Sequence, residues 1–176
     1  MAPIGLTNPN LIQLQSNEII SPLERCFMSD VTIIRATTEH LDVLVPLFDA
    51  YRQFYQAEAD PEGARTFLHE RLTLDESVVF LAYVDGEAVG FTQLYPLLAS
   101  IVMRRIWLLN DLFVASHARK HGVGRALLGR AREFGLETGA HRLQLSTEVA
   151  NLTAQSVYEG HGWTRETEYY HYRLLL

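Results

Sequence analysis

Residues 110–124 read Asn-Asp-Leu-Phe-Val-Ala-Ser-His-Ala-Arg-Lys-His-Gly-Val-Gly, and the rest of the chain is organised around them. They form the end of an apolar strand running from Arg105 to Val114, a polar loop from Ala115 to His121, and a helix opening near Gly122-Val123-Gly124. Ala126, Leu127, Ala131 and Phe134 follow on one helical face. A helix start leaves its first backbone N–H groups unpaired, and the macrodipole adds partial positive charge there. Glycines at that turn let an anion approach the bare backbone, so this junction suits a phosphate. Arg119, Lys120 and Arg125 place cationic side chains around the same turn.

Two common phosphate motifs do not fit. A dinucleotide fingerprint needs a third glycine where the chain has Leu127, and the nucleotide P-loop needs a Gly-Lys-Ser/Thr that is absent. Arg119-x-x-Gly122-x-Gly124 after an apolar strand instead resembles the coenzyme A pyrophosphate motif of the GNAT superfamily of N-acetyltransferases. Downstream, Asn151-x-x-Ala154-x-x-x-Tyr158-x-x-x-Gly162-Trp163 is similar to a second motif of that family, at the correct distance. The resemblance extends over about residues 31–175 and is nearest to the small-amine and polyamine branch.

Length and composition are consistent with one domain. A chain of 176 residues can bury a proper core. Its net charge of −6 provides no basic field for nucleic acid. A single cysteine, Cys26, excludes an intrachain disulfide framework and points to a reducing, cytoplasmic setting. No apolar run approaches the roughly 20 residues a membrane span requires, and the N-terminus lacks the basic-then-apolar pattern of a secretory signal. No spacing of His, Cys or carboxylates resembles a metal site.

Residues 1–30, with three prolines and no sustained period, read as an N-terminal extension or an arm. The domain spans 31–176. Val31–Ala36 is a β-branched strand. Thr37 or Thr38 caps a helix whose stripe is Leu41, Leu44, Val45, Phe48, Tyr51 and Tyr55, with Pro46 inside it as an expected kink. A second helix runs from Pro61 or Glu62 to Leu72. Ser77–Val84 and Ala88–Tyr95 are strands joined by Asp85-Gly86, a hairpin signal, with Pro96 ending the second. After the helix that stops at Gly139 comes a strand, Arg142–Ser146, then a helix opened by Asn151 and closed by Gly160 and Gly162. Thr164–Glu166 and Tyr169–Leu175 are expected as final strands. The predicted fold is a mixed α/β sheet with antiparallel strands first and one parallel pair at its centre. The resemblance adds that this pair splays apart at its carboxyl ends.

Acetyl transfer from a thioester to an amine has three needs: a deprotonated amine, donors for the tetrahedral oxyanion, and a proton or stabilisation for the leaving thiolate. Direct attack needs no covalent enzyme intermediate. The resemblance implies acetyl-CoA as cosubstrate, held by the backbone of Phe113 and Val114 and by Arg119, Lys120, His121, Gly122, Val123, Gly124, Arg125 and Asn151. It implies Tyr158 as the proton donor to the thiolate. Polyamine acetyltransferases carry Glu-Asp where this chain has Asn110-Asp111, so the usual glutamate base is missing. Asp111 acting through water is the candidate base, with proton loss to solvent as the alternative. Tyr55, Glu58 and Asn110 are candidate substrate contacts, whereas Tyr51 lies on the apolar stripe and reads mainly as core. The expected acceptor is a small-molecule primary amine and the expected assembly a homodimer. A protein or peptide N-acetyltransferase and a non-catalytic acyl-CoA sensor are the other readings.

Overall fold

The computed structural model describes residues 30–176, so the N-terminal extension and Cys26 lie outside the described residues. The elements are β1 (Thr32–Arg35), α1 (Leu41–Phe54), α2 (Pro61–Thr73), β2 (Val78–Val84), β3 (Glu87–Ala99), β4 (Arg104–Val114), α3 (Val123–Glu137), β5 (Leu143–Gln144) and α4 (Leu152–Glu159). The sheet has strand order β1-β2-β3-β4-β5. The first four strands pair antiparallel, and β4 pairs parallel with β5. This is the expected mixed α/β architecture, except that the parallel pair, expected at the centre, lies at one edge of the sheet because no strand among the described residues pairs beyond β5.

Local chemistry places most boundaries. Thr37 forms a capping box with His40 ahead of α1. Asp85 (φ 51°) and Gly86 (φ 82°) both take positive φ, as a two-residue primed turn requires. Pro61 sits at the start of α2 behind an Asp60 cap. Gly139 (φ 62°) follows the end of α3. α1 runs through Pro46 as one unbroken helix.

Two layers of core flank the sheet. On one face Leu127, Leu128, Ala131 and Phe134 of α3 pack on Phe80, Leu94, Trp107 and Leu109. On the other, Leu44, Val45 and Phe48 of α1 and Leu68 of α2 pack on Val79, Leu81 and Phe91. Trp107 Nε1 donates to Thr138 Oγ1 at 2.8 Å, fastening the end of α3 to β4.

Two further expectations are corrected. Pro96 does not end its strand, since β3 continues to Ala99. Pro96 pairs with Trp107, whose N–H turns away from it to the Arg142 carbonyl. The pair is therefore a non-hydrogen-bonded one that asks no N–H of proline, and β2 has already ended opposite Leu94. Residues 164–176 form no strand, so Thr164–Glu166 and Tyr169–Leu175 leave β5 as the sheet edge. With only Leu143 and Gln144 in β5, that edge offers too short a ladder to recruit them.

The turn between α1 and α2 hangs on one buried carboxylate. Asp49 accepts from Arg52 Nη1 at 2.7 Å, Gln53 Nε2 at 2.9 Å and the Asp60 backbone N–H at 3.0 Å. The Asp60 N–H, ahead of the two side chains and against the cost of burial, holds the Asp49 carboxyl below its ordinary value of 3.8. A depressed value stabilises the fold above the ordinary one and is lost as pH falls through the folded one. Asp49→Ala should therefore lower unfolding stability at neutral pH by about 2 kcal/mol, the scale of hydrogen bonds to a charged group. The gap should narrow on acidification, as measured by urea melts across pH.

Candidate active site

The site is built by one irregularity in β4. Gln93 pairs with Asp111 while Leu94 pairs with Leu109, so Asn110 is an extra residue, a β-bulge. The buried Thr92 hydroxyl braces it, donating to the Asp111 carbonyl at 2.9 Å. Without the bulge, Asp111 would share the face of Trp107 and Leu109, under α3. With it, Asp111 shares the face of Phe113, toward α1. Asp111 is 5% exposed, whereas Asn110 is open to solvent and donates through Nδ2 to Asp111 Oδ1 at 3.0 Å. Neither side chain braces loop backbone.

The bulge also re-aims the backbone. Residues of an antiparallel ladder alternate between pointing both backbone groups at the partner and pointing both away. Ala115 N donates to Val89 O at 2.8 Å, so Phe113 and Asp111 face β3, and Leu112 and Val114 face the opposite side. On that side β5 pairs only with Trp107 and Leu108. Beyond Leu108 the parallel pair has parted, and β4 continues to Val114 with an open edge. The backbone donors presented to this gap are therefore Leu112 and Val114. Leu112 was not among the residues expected to face this gap, and the Phe113 N–H, expected here, is turned to β3. The alternation becomes readable only once the bulge is known.

The loop after β4 leads to the anion-ready turn. Arg119 Nε donates to the Val114 carbonyl at 2.9 Å, and its guanidinium lies 5.8 Å from the centre of the Phe54 ring, so Arg119 braces the loop. Lys120 (φ 67°) and Gly122 (φ 82°) both take left-handed backbone, and α3 starts at Val123. His121 and Arg125 are exposed beside the turn, and Val123 is buried as its anchor. A Cβ on Gly124 would meet only Val114 Cγ2 at 3.9 Å. Neither steric crowding nor backbone conformation demands glycine there, so its missing side chain leaves the helix start open. These residues fit a diphosphate: bare N–H groups, a clear approach and nearby cations.

Asn151 caps α4, accepting from Ala154 N at 3.1 Å, which leaves its amide NH₂ available. Tyr158 is half-buried, with its ring 6.1 Å from Trp163. Burial and then the neighbouring Tyr55 push its hydroxyl up, so it stays protonated at neutral pH. Burial also raises the Asp111 carboxyl, against hydrogen bonding from Tyr51 and Asn110 that lowers it. Tyr55 is 48% exposed and lies within the field of Glu148 and Asp111. Glu58 sits exposed on the α1–α2 loop and makes no hydrogen bond or ion pair among the described residues. Tyr51, read from sequence mainly as core, is half-buried and lies within the field of Asp111. Among the described residues no cluster of His, Cys, Asp or Glu would hold a metal, and no helix is long and apolar enough to cross a membrane.

A parallel pair parting beside a glycine-opened helix, with a buried carboxylate on the α1 face of the same strand, is the arrangement expected of an acyltransferase. The chain belongs to the Acetyltransferase (GNAT) family, whose pattern matches residues 44–163. It is 44% identical over 144 residues to an uncharacterized N-acetyltransferase, YhfO, of Bacillus subtilis, covering 82% of this chain and 97% of that protein. The crystal structure of a probable acetyltransferase superposes with TM-score 0.79 at 44% identity, covering 82% of this chain and 97% of that one. An aminoglycoside N-acetyltransferase solved with CoA shares the fold, with TM-score 0.70 at 22% identity over 83% of this chain and 95% of that one.

Gly124→Ala should separate fold from ligand. Replacing a helical glycine should leave thermal stability unchanged or raise it by up to about 1 kcal/mol. Calorimetric affinity for acetyl-CoA should fall by about tenfold or more, since the added methyl enters the diphosphate approach. Full affinity would place the diphosphate elsewhere.

Proposed function

We propose that this protein transfers the acetyl group of acetyl-CoA to the primary amine of a small molecule by direct attack. The observation that carries the reading is the bulge. It gives one short run of β4 two faces, with a buried carboxylate toward α1 and open backbone donors toward the parted strands. The acceptor amine approaches from the α1 side. Asp111 takes a proton from the ammonium, through a water, and the freed lone pair attacks the thioester carbonyl. The backbone N–H of Val114 supports the oxyanion. As the carbon–sulfur bond breaks, the Tyr158 hydroxyl supplies the proton to the thiolate, and the tyrosinate is reprotonated by the second proton that the acylated nitrogen sheds. Asn151 and the Leu112 backbone hold the pantetheine arm, and residues 120–125 hold the diphosphate.

A small cationic acceptor suits this site. Tyr51, Tyr55 and Tyr95 all lie within the field of the Asp111 carboxylate. Aromatic walls around a buried anion attract an ammonium. The shared fold with an aminoglycoside N-acetyltransferase fits this class of acceptor.

The test is CoA-thiol release over polyamines, aminoglycosides and amino acids. Tyr158→Phe should lower kcat by about 10²-fold with little change in acetyl-CoA affinity. The acid limb of kcat/KM should lie above the ordinary aspartate value of 3.8, because burial raises Asp111, with activity lost as pH falls through it. Asp111→Asn should remove that limb along with most of the rate. A full-rate Tyr158→Phe enzyme contradicts the assigned acid.

A further inference from the structure

The base candidate is a half-satisfied buried carboxylate, and α1 packs on its face of the sheet. Tyr51 stands in the last turns of α1. Its ring meets Phe91 edge-on at 5.8 Å and 86°, Phe113 at 6.3 Å and 70°, and Tyr55 at 5.2 Å and 73°. Phe113 and Asp111 lie two residues apart on one face of β4, so packing against Phe113 brings the Tyr51 ring alongside Asp111. Burial raises the Tyr51 phenol, and the Asp111 carboxylate acts on it to raise it further. A phenylalanine would supply the same packing, so the ring alone does not account for the oxygen placed there.

We propose that Tyr51 is a positioning residue for Asp111. Its hydroxyl donates to the carboxylate, fixes the rotamer that faces the acceptor, and holds the group in its ionised form. The proposal rests on Asp111 being the base. An ionised carboxylate offers about four lone-pair sites. Tyr51 and the Asn110 amide occupy two, one from each side, which leaves the remainder for the water or amine that reacts. The groups facing this carboxylate are Tyr51 from α1, Asn110 from its own strand, Tyr95 from β3, and Tyr55 just beyond α1. Tyr158 from α4 acts on Tyr51, and Glu148 acts on Tyr55. Asn110 Nδ2 donates to Asp111 Oδ1 at 3.0 Å from an exposed side chain, whereas Tyr51 is half-buried, so the proposed Tyr51 bond should have the larger effect.

The test needs no acceptor. Protein labelled with ¹³Cγ-aspartate is titrated by NMR, with the Asp111 resonance identified by its loss in Asp111→Asn. Tyr51→Phe should melt as the wild type does and should raise the Asp111 midpoint by about one pH unit, the scale of a lost hydrogen bond to a charge. An unmoved or lowered midpoint overturns the proposal. If Tyr51→Phe folds poorly, ¹³Cζ-tyrosine labelling of the wild type decides. The Tyr51 resonance should shift with the Asp111 midpoint, and a resonance blind to it overturns the pairing. Activity of Asp111→Asn is scored separately. Full turnover there removes Asp111 as the base, whereas the NMR midpoints report on the Tyr51–Asp111 contact alone.

Discussion

One extra residue in β4 is the constraint on which the rest of the site depends. The bulge at Asn110 reverses the alternation of the strand, sending Asp111 to the α1 face and the Leu112 and Val114 backbone toward the gap. Had the ladder continued without it, the carboxylate would lie under α3 among Trp107, Leu109 and Phe134, with nothing polar to meet it. The surrounding structure keeps the bulge in place. Thr92 ties down the Asp111 carbonyl from β3, Arg119 takes the Val114 carbonyl, and α3 is anchored through Thr138 to Trp107. β5 contributes by ending early, so that the re-aimed backbone has no strand partner beyond Leu108.

The same device costs stability. Asp111 is buried with its carboxyl raised, so its folded form binds a proton more tightly than the unfolded chain does. Its contribution falls as pH rises from 3.8 through the raised folded value, the reverse of Asp49. The two aspartates divide the roles. Asp49, with a backbone N–H and two side chains bonded to it, holds the α1–α2 turn together, whereas Asp111 is left under-bonded where a reactive base is useful.

Much of this was visible in the sequence because local chemistry and spacing carried it. The Asp85-Gly86 turn, the Pro61 helix start, Gly139 after α3 and the helix starts after Gly122 and Asn151 are each set within a few residues, and each stands where it was expected. What was hidden depended on partners distant in sequence. The tolerance of Pro96 follows from β2 ending opposite Leu94 and from which way the Trp107 N–H turns. The bulge follows from the register with β3, and with it the assignment of Leu112 in place of Phe113. Tyr51 has the spacing of a core residue, and only the crossing of α1 over β4 brings its ring against Phe113, on the face of Asp111. The final strands failed for a related reason, since the alternation at Tyr169–Leu175 carries no information about the length of β5.

The central claim is that the open edge of β4 and the turn before α3 together hold acetyl-CoA. Backbone hydrogen exchange with and without acetyl-CoA, with ATP as the control ligand, tests it most directly. The account predicts slowed exchange at Leu112, Val114 and residues 120–125 with acetyl-CoA, and at most the turn with ATP. Binding without protection at Leu112 and Val114 would contradict it, because the thioester arm would then lie somewhere other than between the parted strands.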